Sequence, residues 1–130
     1  MAIKQRTEIT MKPLEGFTDY HISDDGLVYT TKYSKRYNRN EDLKVLKPRL
    51  HPSGYLYYGF YIGVGKNRLR YWRRGHRLVV ENFIGKIPKG MDVDHIDGDR
   101  HNNDVDNLRI VTHSDNILYG YERRNKTKTK

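Results

Sequence analysis

Hydrophobic and polar positions change period twice along the chain. Residues 1–12 are mostly polar and predict a frayed or lightly attached start. Between 13 and 31, Tyr20-His21-Ile22 and Leu27-Val28-Tyr29-Thr30 flank Ser23-Asp24-Asp25-Gly26, the composition of a strand-turn-strand unit. Residues 32–42 are polar and basic and read as a loop. Leu43 to Leu46 suggests a short strand stopped by Pro48. Tyr55 to Ile62, rich in aromatics, predicts a strand. The turn residues 63–67 return it as a hairpin over Arg68 to Trp72. From Gly75 the apolar spacing becomes helical: Leu78, Val79, Val80 and Phe83 share a face over His76 to Ile84, closed by Gly85 and Pro88. The last third reads as a strand from Met91 to Ile96, a long loop, a strand from Leu108 to Val111, and a helix from about His113 to Arg123. Thr112 stands at the helix N-cap position and Asp115 three residues later. Residues 124–130, Lys/Thr-rich, predict a disordered tail.

These elements predict an α+β fold: small antiparallel β-hairpins followed by a ββα unit. At 130 residues one compact body is expected. Its functional regions divide into 1–74, β-rich and basic, 75–123, holding the ββα unit, and a basic tail at 124–130. Only 35% of residues are hydrophobic, and 11 are tyrosines, which bury a ring while keeping a polar end. There is no cysteine, so disulfides, thiolate zinc sites and cysteine nucleophiles are excluded. No apolar run approaches the roughly 20 residues of a membrane span, and no apolar signal core follows Met1. A cytoplasmic protein without a membrane partner is therefore expected.

The net charge of +9 is unevenly spread. Residues 1–91 carry 18 Lys/Arg against 8 Asp/Glu. Residues 92–106 carry one Arg against six Asp, and 107–130 carry six Lys/Arg against two acids. An acidic knot in a basic chain suggests a cation site within a surface suited to a polyanion. Arg68, Arg70, Arg73, Arg74 and Arg77 cluster around Tyr71 and Trp72 with no acid among them. Together with Arg109 they are the candidate nucleic-acid contacts. If Arg68 and Arg70 share a strand face, they form a phosphate-contacting stripe.

The acidic segment runs Asp94-His95-Ile96-Asp97-Gly98-Asp99, then Asn102-Asn103, Asp106-Asn107-Leu108-Arg109 and, further on, Asn116. A neutral imidazole can take a proton from water near neutral pH. Carboxylate and amide oxygens suit Mg²⁺, which keeps several waters and needs few protein ligands. Asp94-His95 at a strand end and Asn116 one turn into the last helix could share one ion, and Asn107 could tie the loop's backbone together. A calcium-loop alternative fails, because setting Gly98 at the loop's sixth position puts Val93 and His95 where carboxylates belong. Asn102-Asn103 reads as turn-forming. His76 has three readings: orienting a phosphate, orienting the loop, or capping its helix. His21, His51, His101 and His113 carry no assigned role.

At these residues the chain resembles the HNH endonucleases, the ββα-metal nucleases found among phage and intron homing enzymes. The resemblance implies that Asp94 and Asn116 bind a divalent metal, Mg²⁺ or Mn²⁺, that His95 is the general base, and that Asn107 braces the loop. The four-cysteine zinc site of many members is absent. His76-Arg77-Leu78-Val79 resembles the helix preceding the motif in phage members. Leu14-Glu15-Gly16-Phe17 with Tyr20-His21-Ile22-Ser23 and Gly26-Leu27-Val28-Tyr29 resembles a short module attached to homing endonucleases, with Met11-Lys12 in place of its usual tryptophan. The match covers most of residues 13–119. It implies a metal-dependent endonuclease acting on double-stranded DNA, as a monomer or homodimer. The alternatives are a non-catalytic DNA-binding protein that retains the fold, and a nuclease directed at RNA.

Overall fold

A computed structural model describes residues 8–31, 43–63 and 65–128, the side chains of 126–128 apart. The expected loop at 32–42, with Lys32, Lys35, Arg36 and Arg39, lies outside the described residues, as do 1–7, Val64 and 129–130.

The fold is α+β with three antiparallel sheets. The first holds β1 (Met11–Pro13), β2 (Tyr20–Ser23), β3 (Val28–Thr30) and β4 (Lys44–Val45) as a meander. The second holds β5 (Arg49–Leu50), β6 (Leu56–Ile62) and β7 (Leu69–Arg74). The third is the hairpin of β8 (Met91–His95) and β9 (Leu108–Thr112). Helix α1 (Gly75–Phe83) follows the second sheet, and α2 (His113–Lys128) follows the third.

Two strands escaped the apolar pattern. Met11–Pro13 pairs with β2 although all three residues are exposed. Its edge position asks for backbone pairing rather than burial. Arg49–Leu50 pairs with β6 through Tyr57 and Leu56, and two exposed residues after a proline show no alternation to read. The basic tail also departs from expectation, because α2 continues to Lys128. Thr112 caps that helix as expected, its Oγ1 accepting from the Asp115 N–H at 3.0 Å.

One apolar cluster joins all three sheets. Leu14, Phe17, Tyr20, Ile22 and Val28 meet Tyr58 and Phe60 of β6, Leu78, Val79 and Val80 of α1, and Val93 and Leu108 of the last hairpin. Phe60 is fully enclosed. Phe17 stacks on it at 4.5 Å, and Tyr20 meets it edge-on at 4.9 Å. Two tyrosines bring their polar ends into this core with partners. The Tyr20 hydroxyl accepts from the Tyr61 N–H at 3.0 Å, and the Tyr58 hydroxyl donates to the Gly26 carbonyl at 3.3 Å. Burial pushes the Tyr58 phenol up to about 12, so it stays a donor.

The β2–β3 turn touches the acidic loop directly. The Val105 N–H donates to the Asp24 carbonyl at 2.8 Å. Gly26, at φ +95°, leaves no room for a side chain: a Cβ there would stand 2.8 Å from the Asn103 carbonyl oxygen. Strain at positive φ and a backbone clash would act together. Gly26→Ala is therefore expected to cost roughly 2–3 kcal/mol, measured by urea unfolding. A cost below 0.5 kcal/mol would mean that this contact does not constrain the fold.

Candidate active site

The β8–β9 register sets Asp94 opposite Arg109 and His95 opposite Leu108. Asp94 and His95 are both buried, at 2% and 4% exposure. Adjacent strand residues normally diverge. Here β8 ends at His95, and both side chains line one cavity of about 300 Å³ with Asn116 and Arg123 of α2. A larger cavity of about 590 Å³ is lined by Ile96, Arg109, Leu118, Tyr119 and Tyr121 among others, and reaches neither His95 nor Asn116.

The loop between the strands is closed by side chains. Asn107 accepts from the Asp97 N–H at 3.0 Å, and its Nδ2 donates to Asp97 Oδ1 and to the Asn102 carbonyl, each at 2.9 Å. One amide thus satisfies three loop groups, and Ile96 N–H bonds back to the Asn107 carbonyl at 2.8 Å. Asp97 also accepts from Asp99 N–H and Asn102 Nδ2. Burial raises its carboxyl, but these bonds outweigh burial and hold it below the ordinary carboxylate value.

His95 Nε2 lies 2.8 Å from Asn103 Oδ1. An amide oxygen only accepts, so Nε2 carries the hydrogen and Nδ1 is the basic atom. Asn103 fits because two glycines flank it. Beyond Gly26, a Cβ at Gly75 would stand 2.9 Å from Asn103 Nδ2 and 3.2 Å from Tyr58. The His95 ring packs at 5.1 Å from His76, which stacks on Tyr55 at 4.8 Å. Burial lowers both histidines. In His76 the neighbouring His95, Arg74 and Arg77 add to burial and carry it to about 3. In His95 the Asn103 bond and the nearby aspartates offset burial in part. Both rings are therefore neutral at physiological pH.

Asn116 is held from outside the cavity. Its Nδ2 donates to Asp92 Oδ2 at 3.0 Å, and the same oxygen meets His113 Nδ1 at 2.8 Å. With the amide nitrogen engaged, Oδ1 is the atom left for a cation. Asp94 accepts from Arg109 Nε on Oδ2 at 2.9 Å and from Arg123 Nη2 on Oδ1 at 3.0 Å.

Residues 73–118 match the sequence model of the HNH endonucleases. A SPbeta prophage protein of Bacillus subtilis (strain 168), the putative HNH homing endonuclease YosQ, is 47% identical over 58% of this chain and 44% of its own. The DNA endonuclease I-HmuI of Bacillus phage SP01 is 34% identical over 82% of this chain and 54% of its own. An uncharacterized HNH endonuclease of Acanthamoeba polyphaga mimivirus, L245, is 33% identical over 90% of this chain and 32% of its own. A solved structure of DNA binding and cleavage by I-HmuI superposes with a TM-score of 0.65 over 92% of this chain and 64% of that one, at 27% identity. Over residues 73–118 the chain belongs to the HNH endonuclease family. It spans about a third to a half of the length of these curated relatives.

Within this HNH chain the structure brings together Asp94, His95 and Asn116, and places Asn107 behind them as a tie. The arginines expected on one hairpin divide. Arg70 and Arg74 share a face of β7 with Trp72, and Arg68 joins them over Tyr61 at 4.5 Å. Arg70 lies 4.3 Å from the Trp72 ring, made possible by Gly59 beneath it. Arg73 turns to the other face, against Phe17 and Tyr71. Arg77 is half-buried in α1, and Arg109 faces Asp94 and the Tyr119 ring. Arg49 of β5 adds itself to the Trp72 face at 5.3 Å. Sequence reasoning missed Asn103, Asp92, Arg49 and the place of Arg123 beside Asp94. Only Arg123 carried a readable signal, since it stands seven residues after Asn116 on one helix face.

Neutral buried histidines make an acid-labile HNH fold. Between pH 6.5 and about 3 the unfolded chain binds a proton that folded His76 refuses, so stability falls as pH drops through that window. The melting temperature is expected to fall from pH 7 to pH 5, and His76→Gln to flatten that slope. An equal slope in the variant would remove His76 as the cause.

Proposed function

We propose that this chain is a divalent-metal-dependent endonuclease that hydrolyses phosphodiester bonds in double-stranded DNA. The observation that carries the reading is the shared cavity of Asp94, His95 and Asn116. On this reading residues 1–74 chiefly hold DNA and 75–123 cut it.

The donor set fits a hard ion. Among the described residues no group of three or more His, Cys, Asp or Glu could hold a metal. Asp94 and the Asn116 amide oxygen would therefore be the protein's two ligands, leaving positions for water and phosphate, as Mg²⁺ or Mn²⁺ prefers. When bound, the ion supplies charge stabilisation at the phosphate and at the leaving 3′ oxygen.

The chain's own residues do the rest. His95 Nδ1 takes a proton from a water that attacks phosphorus, and the bond to the 3′ oxygen breaks. Asn103 fixes the tautomer that this requires, and Asn107 holds the loop that carries Asn103. Asp92 and His113 turn the Asn116 oxygen inward. Arg68, Arg70 and Arg74, braced on tyrosine and tryptophan rings, would meet DNA phosphates, with Arg73, Arg77 and Arg109 as further cations near the path. One such site cuts one strand, so a monomer nicks and a double break needs a second event or a second copy.

His95→Ala should lower nicking of supercoiled plasmid by about 10²–10⁴-fold while leaving the gel shift of the same DNA near wild type. Asp94→Ala and EDTA should each remove nicking. A wild-type protein that shifts DNA and makes no nicked product with Mg²⁺ or Mn²⁺ would be a binding protein on a nuclease fold. An RNA substrate cut in preference to DNA would redirect the assignment.

A further inference from the structure

Asp94 is a buried carboxylate shared by two guanidinium groups, one on each oxygen. Arg109 is its cross-strand partner. It lies over the Tyr119 ring at 4.0 Å and lines the larger cavity. Arg123 lines both cavities, the smaller one together with Asp94, His95 and Asn116. It arrives from α2 two turns beyond Asn116, so both side chains descend the same helix face. Its stem crosses Gly98, where a Cβ would stand 3.1 Å from both Cδ and Nε, and its Nη1 lies 3.4 Å from the Ile96 carbonyl. Its Nη2 meets Asp94 Oδ1 at 3.0 Å.

We propose that Arg123 competes with the divalent cation for Asp94, its guanidinium being the resident cation at Oδ1 that an entering ion must move aside. The proposal rests on Asp94 being a metal ligand, as argued under Proposed function. A buried carboxylate stripped of a partner is costly, so a resident cation compensates its charge and holds it in place. The same cation opposes a second positive charge at that oxygen, where surrounding protein screens poorly. Arg109, directed at Oδ2 and absent from the smaller cavity's lining, remains to hold the carboxylate when Arg123 withdraws. The metal affinity of this chain is then set by an exchange between two cations, and the ion can shift that exchange only by the difference in its own affinity for the two arrangements.

The test is Mn²⁺ binding to the full chain without DNA, followed by the electron paramagnetic resonance signal of free Mn²⁺. Arg123→Gln and Arg123→Ala should each bind Mn²⁺ more tightly, on the order of tenfold. Asp94→Asn should lose that site. Were Arg123 only a structural brace, both substitutions would lower the melting temperature and weaken binding, the opposite sign. Mn²⁺ binding that needs Asp94 but is equal or weaker in both Arg123 variants overturns the competition and leaves the metal assignment standing. Binding indifferent to Asp94→Asn overturns both. A second measurement uses the unmodified protein: the Arg123 side-chain N–H resonance should shift and broaden towards a solvent-exchanging state on Mg²⁺ addition. An unshifted resonance at saturating Mg²⁺ overturns the competition.

Discussion

The contact on which the site depends is the Asn103 side chain against His95, held in a slot that two glycines leave open. Gly26 comes from the first sheet, Gly75 from the start of α1, and neither has a Cβ to fill the space that Asn103 takes. The bond to Nε2 at 2.8 Å then decides which imidazole nitrogen is basic. Both partners lie within the ββα unit, but the slot that seats Asn103 is walled by residues outside it. Tyr58 completes the wall, touching Gly75 and donating to Gly26, so the aromatic core and the acidic loop share one support.

Electrostatics at the site follow from the same enclosure. Burial holds His76 and His95 neutral, so neither adds charge beside a carboxylate that two arginines already balance. The aspartates at 97, 99 and 104 do different work: they accept from backbone and side-chain N–H groups of their own loop. The acidic knot visible in the charge distribution is thus mostly a folding device, with Asp94 as the carboxylate turned to the cavity beside His95 and Asn116.

The ββα order, the capped last helix and the set Asp94, His95, Asn107 and Asn116 were legible because each is local or sits in a dense motif. The two short edge strands were not, since Met11–Pro13 and Arg49–Leu50 bury nothing and exist through pairing alone. Asn103 looked like a turn residue because its partners lie 28 positions back at Gly75, 77 positions back at Gly26, and eight at His95. Asp92 stands two residues before Asp94, yet its meeting with Asn116 and His113 depends on how α2 lands on β8. Long-range closure of this kind leaves no periodic trace.

The slot around Asn103 also bears on how such a chain can be taken apart. The proposed division of labour falls near residue 75, and the family match begins at residue 73. By packing the two sides interlock, with a turn of the first sheet pressed on the acidic loop. A recombination event that replaced the first half with an unrelated module would inherit a histidine free to choose its tautomer, unless the newcomer also offered a bare backbone where Gly26 stands. Heredity could shuffle the surface arginines cheaply; that one missing methyl group would have to travel with the ββα unit.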